Sequence, residues 1–210
     1  MTEINERFGQ GLGINRIEGL TDGIFAIAMT LLVLAIDFPK EGMQLTPDAL
    51  RKLLFGQGQE FYNYALSFIL LANFWTLHHQ LFHFFRATDA VHLWINILQL
   101  MFVALVPFSS SVAGDFPDQR MAQFIFGINM LFIGMLFLVN WLYAVKKHRL
   151  VDGRLAKSRI HAIAWKVSII PIVSVIAIMV ALLSPRGSSY VYATIPFLLV
   201  MFYGSAKTGE

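Results

Sequence analysis

Apolar residues in this chain run in blocks of about twenty, broken by short polar stretches, which is the pattern of helices long enough to cross a bilayer. Six blocks stand out, at about 18–37, 60–85, 91–113, 121–145, 162–184 and 188–205. The third fades at its end, where Pro107 and Ser109 to Ser111 dilute it. Between the first two lies TPDALRKLLFGQG, residues 46–58. There Thr46 suits an N-cap and Pro47 the first helical position, and Leu50, Leu53 and Leu54 share a face. The spacing predicts a short interfacial helix over 46–56. The expectation is an all-α, polytopic membrane protein with six transmembrane helices, forming one domain over 1–210.

Composition narrows the class further. Hydrophobic residues make up 57% of the chain and charged residues 14%, about half the charge of a soluble domain. The chain has no cysteine, which excludes disulfides and thiolate metal sites. Residues 1–16 lack the basic-apolar-small pattern of a signal peptide, so the first span is expected to stay in the mature protein. The net charge of +3 raises nucleic acid as a partner, but the positive-inside rule accounts for the excess without one.

Ten Lys and Arg fall on the side of the N-terminus, the 2–3 and 4–5 connections and the C-terminus: Arg7, Arg16, Arg86, Lys146, Lys147, Arg149, Arg154, Lys157, Arg159 and Lys207. Five fall opposite: Lys40, Arg51, Lys52, Arg120 and Arg186. Lys166 lies inside the fifth span, within snorkelling reach of its inner end. That asymmetry predicts both termini in the cytoplasm and residence in a cell membrane. Trp94, Trp141, Tyr143, Trp165, Tyr190, Tyr192 and Tyr203 lie near span ends, where interface anchors are expected.

The first span carries the most information. Arg16 and Asp22 lead into fourteen residues whose one polar side chain is Thr30. A carboxylate at mid-membrane costs roughly 2.5–3.5 kcal/mol, less near an interface, so Asp22 needs compensation. On a helical wheel Gly23, Ile27, Thr30, Leu31 and Leu34 share one stripe about 100° wide, with Asp22 well off its centre. If that stripe faces a cavity or axis, Asp22 faces neighbouring helices. Arg16 is six residues back, which is not an intrahelical ion-pair spacing. A plain alternative makes Arg16 an interfacial anchor and leaves Asp22 to the positive end of the helix dipole.

The second span supplies candidate partners in Asn73, Trp75, Thr76, His78, His79, Gln80 and His83. His79 and His83, four apart, suit a shared metal or a proton site. No second ligand-bearing span accompanies them, and Asp89 and His92 lie in a short polar turn, so a structural hydrogen-bonding role is preferred. This run lies at the depth of Asp22, which favours a network of Asp22 with His78 and Trp75. Asn96, Gln99, Asn129 and Asn140 read as interhelical hydrogen bonds. Pro171 and Pro196 are candidate kinks.

No hydrolase elbow, phosphate loop or dinucleotide fingerprint is present, so an enzyme is not expected. An arginine ladder for voltage sensing is also missing. Channel, secondary transporter or metal carrier built on the second-span histidines, and non-conducting scaffold all remain open on these residues alone.

The run Arg16-Ile-Glu-Gly-Leu20-Thr21-Asp22 resembles the RxxxFSD signature that opens the first helix of the lysosomal and bacterial potassium channels of the transmembrane protein 175 type. The following GIFAIAMTLLVL, with NFWTLHHQLF at 73–82, is similar to the bacterial members. Leu20 and Thr21 replace the family's Phe and Ser; Thr21 keeps a hydroxyl, while Leu20 loses an aromatic ring. The resemblance implies a modestly selective potassium channel: a homotetramer whose four first helices line a central pore, with lipid and potassium ions as its other partners and no cofactor. It places the constriction on Ile27, Leu31 and Leu34 and a hydroxyl layer on Thr30. Arg16, Thr21, Asp22, Trp75 and His78 would brace the pore helix.

Overall fold

The computed structural model describes residues 13–36 and 46–205. Asp37, Arg7, Lys40 and Lys207, used above for the first span's end and for orientation, lie outside the described residues. The helices are α1 (Ile14–Leu31, tightening into a 3₁₀ turn over Leu32–Ala35), α2 (Pro47–Gly56), α3 (Gly58–Phe82), α4 (Ala90–Ala104) and α5 (Val106–Asp115). They continue with α6 (Arg120–Val145), α7 (Lys157–Leu183), α8 (Pro185–Tyr192) and α9 (Thr194–Ser205). Among the described residues the one extended pairing is an isolated antiparallel bridge between Phe85 and Val151. The protein is an all-α, multi-pass membrane protein.

Prolines explain where the spans break. Pro107 has no N–H to give the Val103 carbonyl, and the third span is interrupted at Leu105 between α4 and α5. Pro196 stands in the same relation to Tyr192, and the expected 188–205 span is two shorter helices meeting at Ala193. Four segments are long and apolar enough to cross a membrane on their own: Ile14–Leu34, Ala90–Asp115, Arg120–His148 and Lys157–Leu183. α3 has the length, 25 residues, but its second half carries the polar run Asn73 to Gln80.

α6 is the central helix. Phe126, Met130, Ile133, Phe137, Trp141 and Ala144 are buried at intervals of three and four along it. α7 packs closely against it at two glycines. A Cβ on Gly134 would sit 2.8 Å from the Pro171 nitrogen, and one on Gly127 would sit 2.7 Å from Ile178. Pro171 therefore stays inside α7 without ending it, its buried ring accommodated by the missing side chain opposite.

Two residues expected at the membrane interface are in the core instead. Trp141 is fully buried and its indole donates to the Ile160 carbonyl at 3.2 Å. α7 begins at Lys157, five residues before the expected start, and so extends over it. Tyr192 is buried edge-on against Phe126 because α8 folds back beside α6 and α7. Trp94, Trp165 and Tyr190 are exposed; the side chain of Tyr203 lies outside the described residues.

The helix ends alternate. Thr21, in the first half of α1, meets His78, near the end of α3, and Ile36, just past α1, lies beside Glu60 and Asn63 at the start of α3, so these helices run antiparallel. Beyond α3, the Arg86 N–H donates to the Leu150 carbonyl at 2.7 Å, and Arg86 pairs with Asp152 at 3.4 Å. The start of α1 and the 83–89 and 146–156 connections thus share one end of the bundle.

Candidate functional site

α1 has two distinct faces. Ile17, Thr21, Phe25, Ala28 and Leu32 are buried against α3, α4 and α5. The opposite face carries Gly23, Ile27, Thr30, Leu31 and Leu34, all exposed on the subunit, with Ile27 at 60% and Leu34 at 74%. The Thr30 hydroxyl donates to the Ile27 carbonyl at 2.8 Å. Its proton is held by the helix, so the lone pairs of Oγ1 are the part presented outward.

Midway along α1, Asp22 lies on the edge between these faces. The Trp75 indole donates to Asp22 Oδ1 at 2.8 Å, a charge-assisted bond from α3 to α1. Trp75 stacks on His79, with ring centroids 6.2 Å apart. Glu18, Asp22, Trp75, His78 and His79 line a recess of about 150 Å³. Arg16 is exposed on the first turns of the same helix.

His78 faces the other way. It is buried, stacked 4.0 Å from Phe82, and makes a long contact of 3.5 Å with the Thr21 hydroxyl. Its Nε2 donates to Asn96 Oδ1 at 3.2 Å, an oxygen that also accepts from Asn140 Nδ2 at 3.1 Å. Asn96 Nδ2 donates to the His92 carbonyl at 2.8 Å, which fixes the amide's orientation. The expected Asp22–His78–Trp75 cluster is therefore two arrangements back to back: Asp22 bonds Trp75 at the surface, and His78 turns inward with Thr21.

From the sequence, Asn96 and Asn140 read as interhelical contacts and His92 as part of a turn. The structure makes Asn96 the junction of α3, α4 and α6, with His92 fully buried beside it. Asp89 caps α4 by accepting from the His92 N–H at 2.9 Å and also accepts from the Tyr143 hydroxyl at 2.7 Å. Interior polar residues at matching depth in three spans were the available signal. His79 and His83 are exposed, and among the described residues no three His, Cys, Asp or Glu side chains gather to hold a metal ion.

Comparison with known proteins gives consistent results. The family model described as endosomal/lysosomal potassium channel TMEM175 matches residues 16–107. A potassium channel of Streptomyces collinus is 30% identical over 143 residues, 66% of this chain and 68% of its own. A potassium channel of Chamaesiphon minutus is 31% identical over 151 residues, 70% of this chain and 74% of its own. The crystal structure of a lysosomal potassium-selective channel TMEM175 homolog from Chamaesiphon minutus superposes with a TM-score of 0.78 at 25% identity. That match covers 90% of this chain and 97% of the other. Similarity of this extent, in sequence and in fold, means that the chain belongs to the TMEM175 family.

Proposed function

We propose that this protein is a potassium channel, modestly selective among cations, in which four copies surround a central pore lined by α1. The family is one of ion channels, not enzymes. The observation that carries the reading is the outward face of α1, where Ile27, Thr30, Leu31 and Leu34 stand exposed on one subunit. α1, α3, α4 with α5, α6, α7, and α8 with α9 are the six spans of a single channel domain. The shared end of α1's start and the basic connections faces the cytoplasm of a cell membrane, following the distribution of Lys and Arg.

Four Ile27 side chains form an apolar constriction that closes by dewetting. One helical turn away, four Thr30 oxygens replace part of the water that a cation sheds there. Potassium gives up hydration more readily than sodium, which favours it without a ring of backbone carbonyls. Leu31 and Leu34 continue the apolar lining. Arg16, Thr21, Asp22, Trp75 and His78 hold α1 against α3 and set the pore's width through helix position.

The test is cation flux through purified protein in proteoliposomes with potassium, sodium and caesium, alongside its mass in detergent. Potassium and caesium flux above sodium, with a tetrameric mass, is expected. Absence of flux, or a dimeric mass, overturns the reading.

A further inference from the structure

The 4–5 connection holds six of the chain's sixteen Lys and Arg, and together with Arg86 of the neighbouring 2–3 connection they fall into two groups. Arg86 pairs with Asp152, and Arg149 lies 4.0 Å from Asp89 while its guanidinium covers the Tyr143 ring at 4.8 Å. These two are tied down. Lys146, Lys147, Arg154, Lys157 and Arg159 are all exposed, and among the described residues none of them forms an ion pair, although the Arg159 guanidinium also lies 5.9 Å over the Phe84 ring.

The connection that carries them is folded. Lys147 and His148 take left-handed backbone conformations, with φ of 56° and 51°, and turn the chain sharply after α6. Val151 then bridges to Phe85, and the Arg154 N–H donates to Asp152 Oδ1 at 2.9 Å. α7 starts with Lys157 and Arg159 in its first turn and has neither a capping side chain nor an acid there. The one acid of the connection, Asp152, is taken by Arg86 and the Arg154 N–H, so among the described residues the five cations stand in a folded collar without an ion-pair partner.

Two exposed tryptophans set the depth of that collar. Trp165 lies eight residues into α7 from Lys157, about 12 Å along the helix, and is 66% exposed. Trp94, one turn into α4, is 67% exposed, with Val91 and Leu98 exposed beside it. Indoles in this setting sit at the headgroup level, which puts the collar at and just beyond the phosphates. Anionic lipids favour such a cluster.

We propose that Lys146, Lys147, Arg154, Lys157 and Arg159 form a binding surface for anionic phospholipid headgroups in the leaflet at the basic end of the bundle. The surface uses no residue of the pore face, and its ligand is a lipid held at the rim. Beside the collar, Arg149 covers Tyr143, which bonds Asp89 and so leads to buried His92 and Asn96.

The experiment is tryptophan quenching in vesicles of mixed phosphatidylcholine and phosphatidylglycerol, with either one or the other lipid brominated. Relative binding of phosphatidylglycerol over phosphatidylcholine of about tenfold is expected for the wild type, falling by about threefold with each of Lys147 and Lys157 removed, below the roughly fivefold that ~1 kcal/mol per cation allows. K147Q/K157Q should thus bring the preference close to unity, whereas K147R/K157R should retain it. R120Q, at the opposite end, should leave it unchanged. Raising salt on the wild type should shrink the preference by screening, a readout that needs no variant. Equal quenching by the two lipids in wild type, or a preference that K147Q/K157Q leaves intact, overturns the proposal. Displacement by free inorganic phosphate or glycerol phosphate at matched concentration also overturns it, since the ligand is then a soluble anion. Because quenching and not flux is read, failure here leaves the channel reading standing.

Discussion

α1 and α6 are both apolar and long enough to cross a membrane, yet the fold treats them in opposite ways. Half of α6's most apolar stretch, 50%, is buried inside the subunit, against 28% for α1. α6 gives up side chains so that α7 can approach, as at Gly127 and Gly134. α1 keeps isoleucine and leucine on the face that nothing in the subunit covers. Hydropathy alone therefore does not separate a helix packed inside the subunit from one that keeps an uncovered apolar face. The distinction lies in which positions the subunit leaves uncovered, and whether a polar group such as Thr30 is set among them.

The largest effect expected from this contrast is on stability. Gly134→Ala puts a methyl carbon 2.8 Å from the Pro171 nitrogen, a clash with backbone that cannot rotate away. Overpacking of this kind costs about 1–3 kcal/mol, and each kcal/mol lowers Tm by about 2–4 °C at this size. Gly23→Ala on the outward face of α1 meets nothing within 4 Å and, alanine being the better helix former by about 0.5–1 kcal/mol, should leave the subunit's melting unlowered or slightly raised. Thermal unfolding of both variants in detergent checks the pair. Equal destabilisation would remove the difference between the two helices.

Next in size is the constriction. In the proposed tetramer Ile27→Asn would place four amides where four butyl groups are proposed to exclude water, and cation leak should rise at least about tenfold, a barrier lower by ~1.4 kcal/mol. Tracer flux into proteoliposomes measures it. A leak that does not change would take Ile27 out of the constriction and make its exposure an ordinary lipid contact.

How much of this was legible in the sequence differs between the two helices for physical reasons. The stripe of α1 could be read because period and polarity coincide within one short segment. Asp22 and Trp75 fall at matching depth on their two spans, and the structure joins them at 2.8 Å. The role of Gly134 could not be read, because its meaning lies in Pro171, a partner on another helix. Asn96 was hidden for a similar reason: each amide alone looks like generic interhelical bonding, and its junction with His78 and Asn140 exists only once three helices are packed. Trp141 misled because its position near a span end holds only if α7 starts later than Lys157.

A smaller effect is expected where α1 meets α3. Trp75→Phe keeps the ring and removes the indole donor to Asp22, and Asp22→Ala removes the acceptor. Hydrogen bonds to charged groups contribute about 1.5–3 kcal/mol, and the solvent-facing position of this one brings that to roughly 1 kcal/mol. Both variants should lower the fraction of assembled protein in size-exclusion chromatography while leaving the conductance of each remaining channel close to wild type. Normal assembly with altered unitary conductance would instead put Asp22 in the conduction path.

The smallest expected change falls on Thr30. Its hydroxyl proton is already given to the Ile27 carbonyl at 2.8 Å, so losing the hydroxyl does not open the helix; it removes an outward oxygen and leaves a shape that valine nearly matches. Thr30→Val should therefore preserve folding and assembly and lower the potassium-to-sodium permeability ratio by about two- to threefold, a difference of ~0.4–0.7 kcal/mol between the two ions' barriers. Thr30→Ser, which keeps an oxygen in the same place, should keep the ratio. Reversal potentials under bi-ionic conditions read this directly. If valine and serine give the same ratio as threonine, selectivity does not reside in the hydroxyl layer, and the apolar side chains around it must discriminate by the cost of dehydration alone.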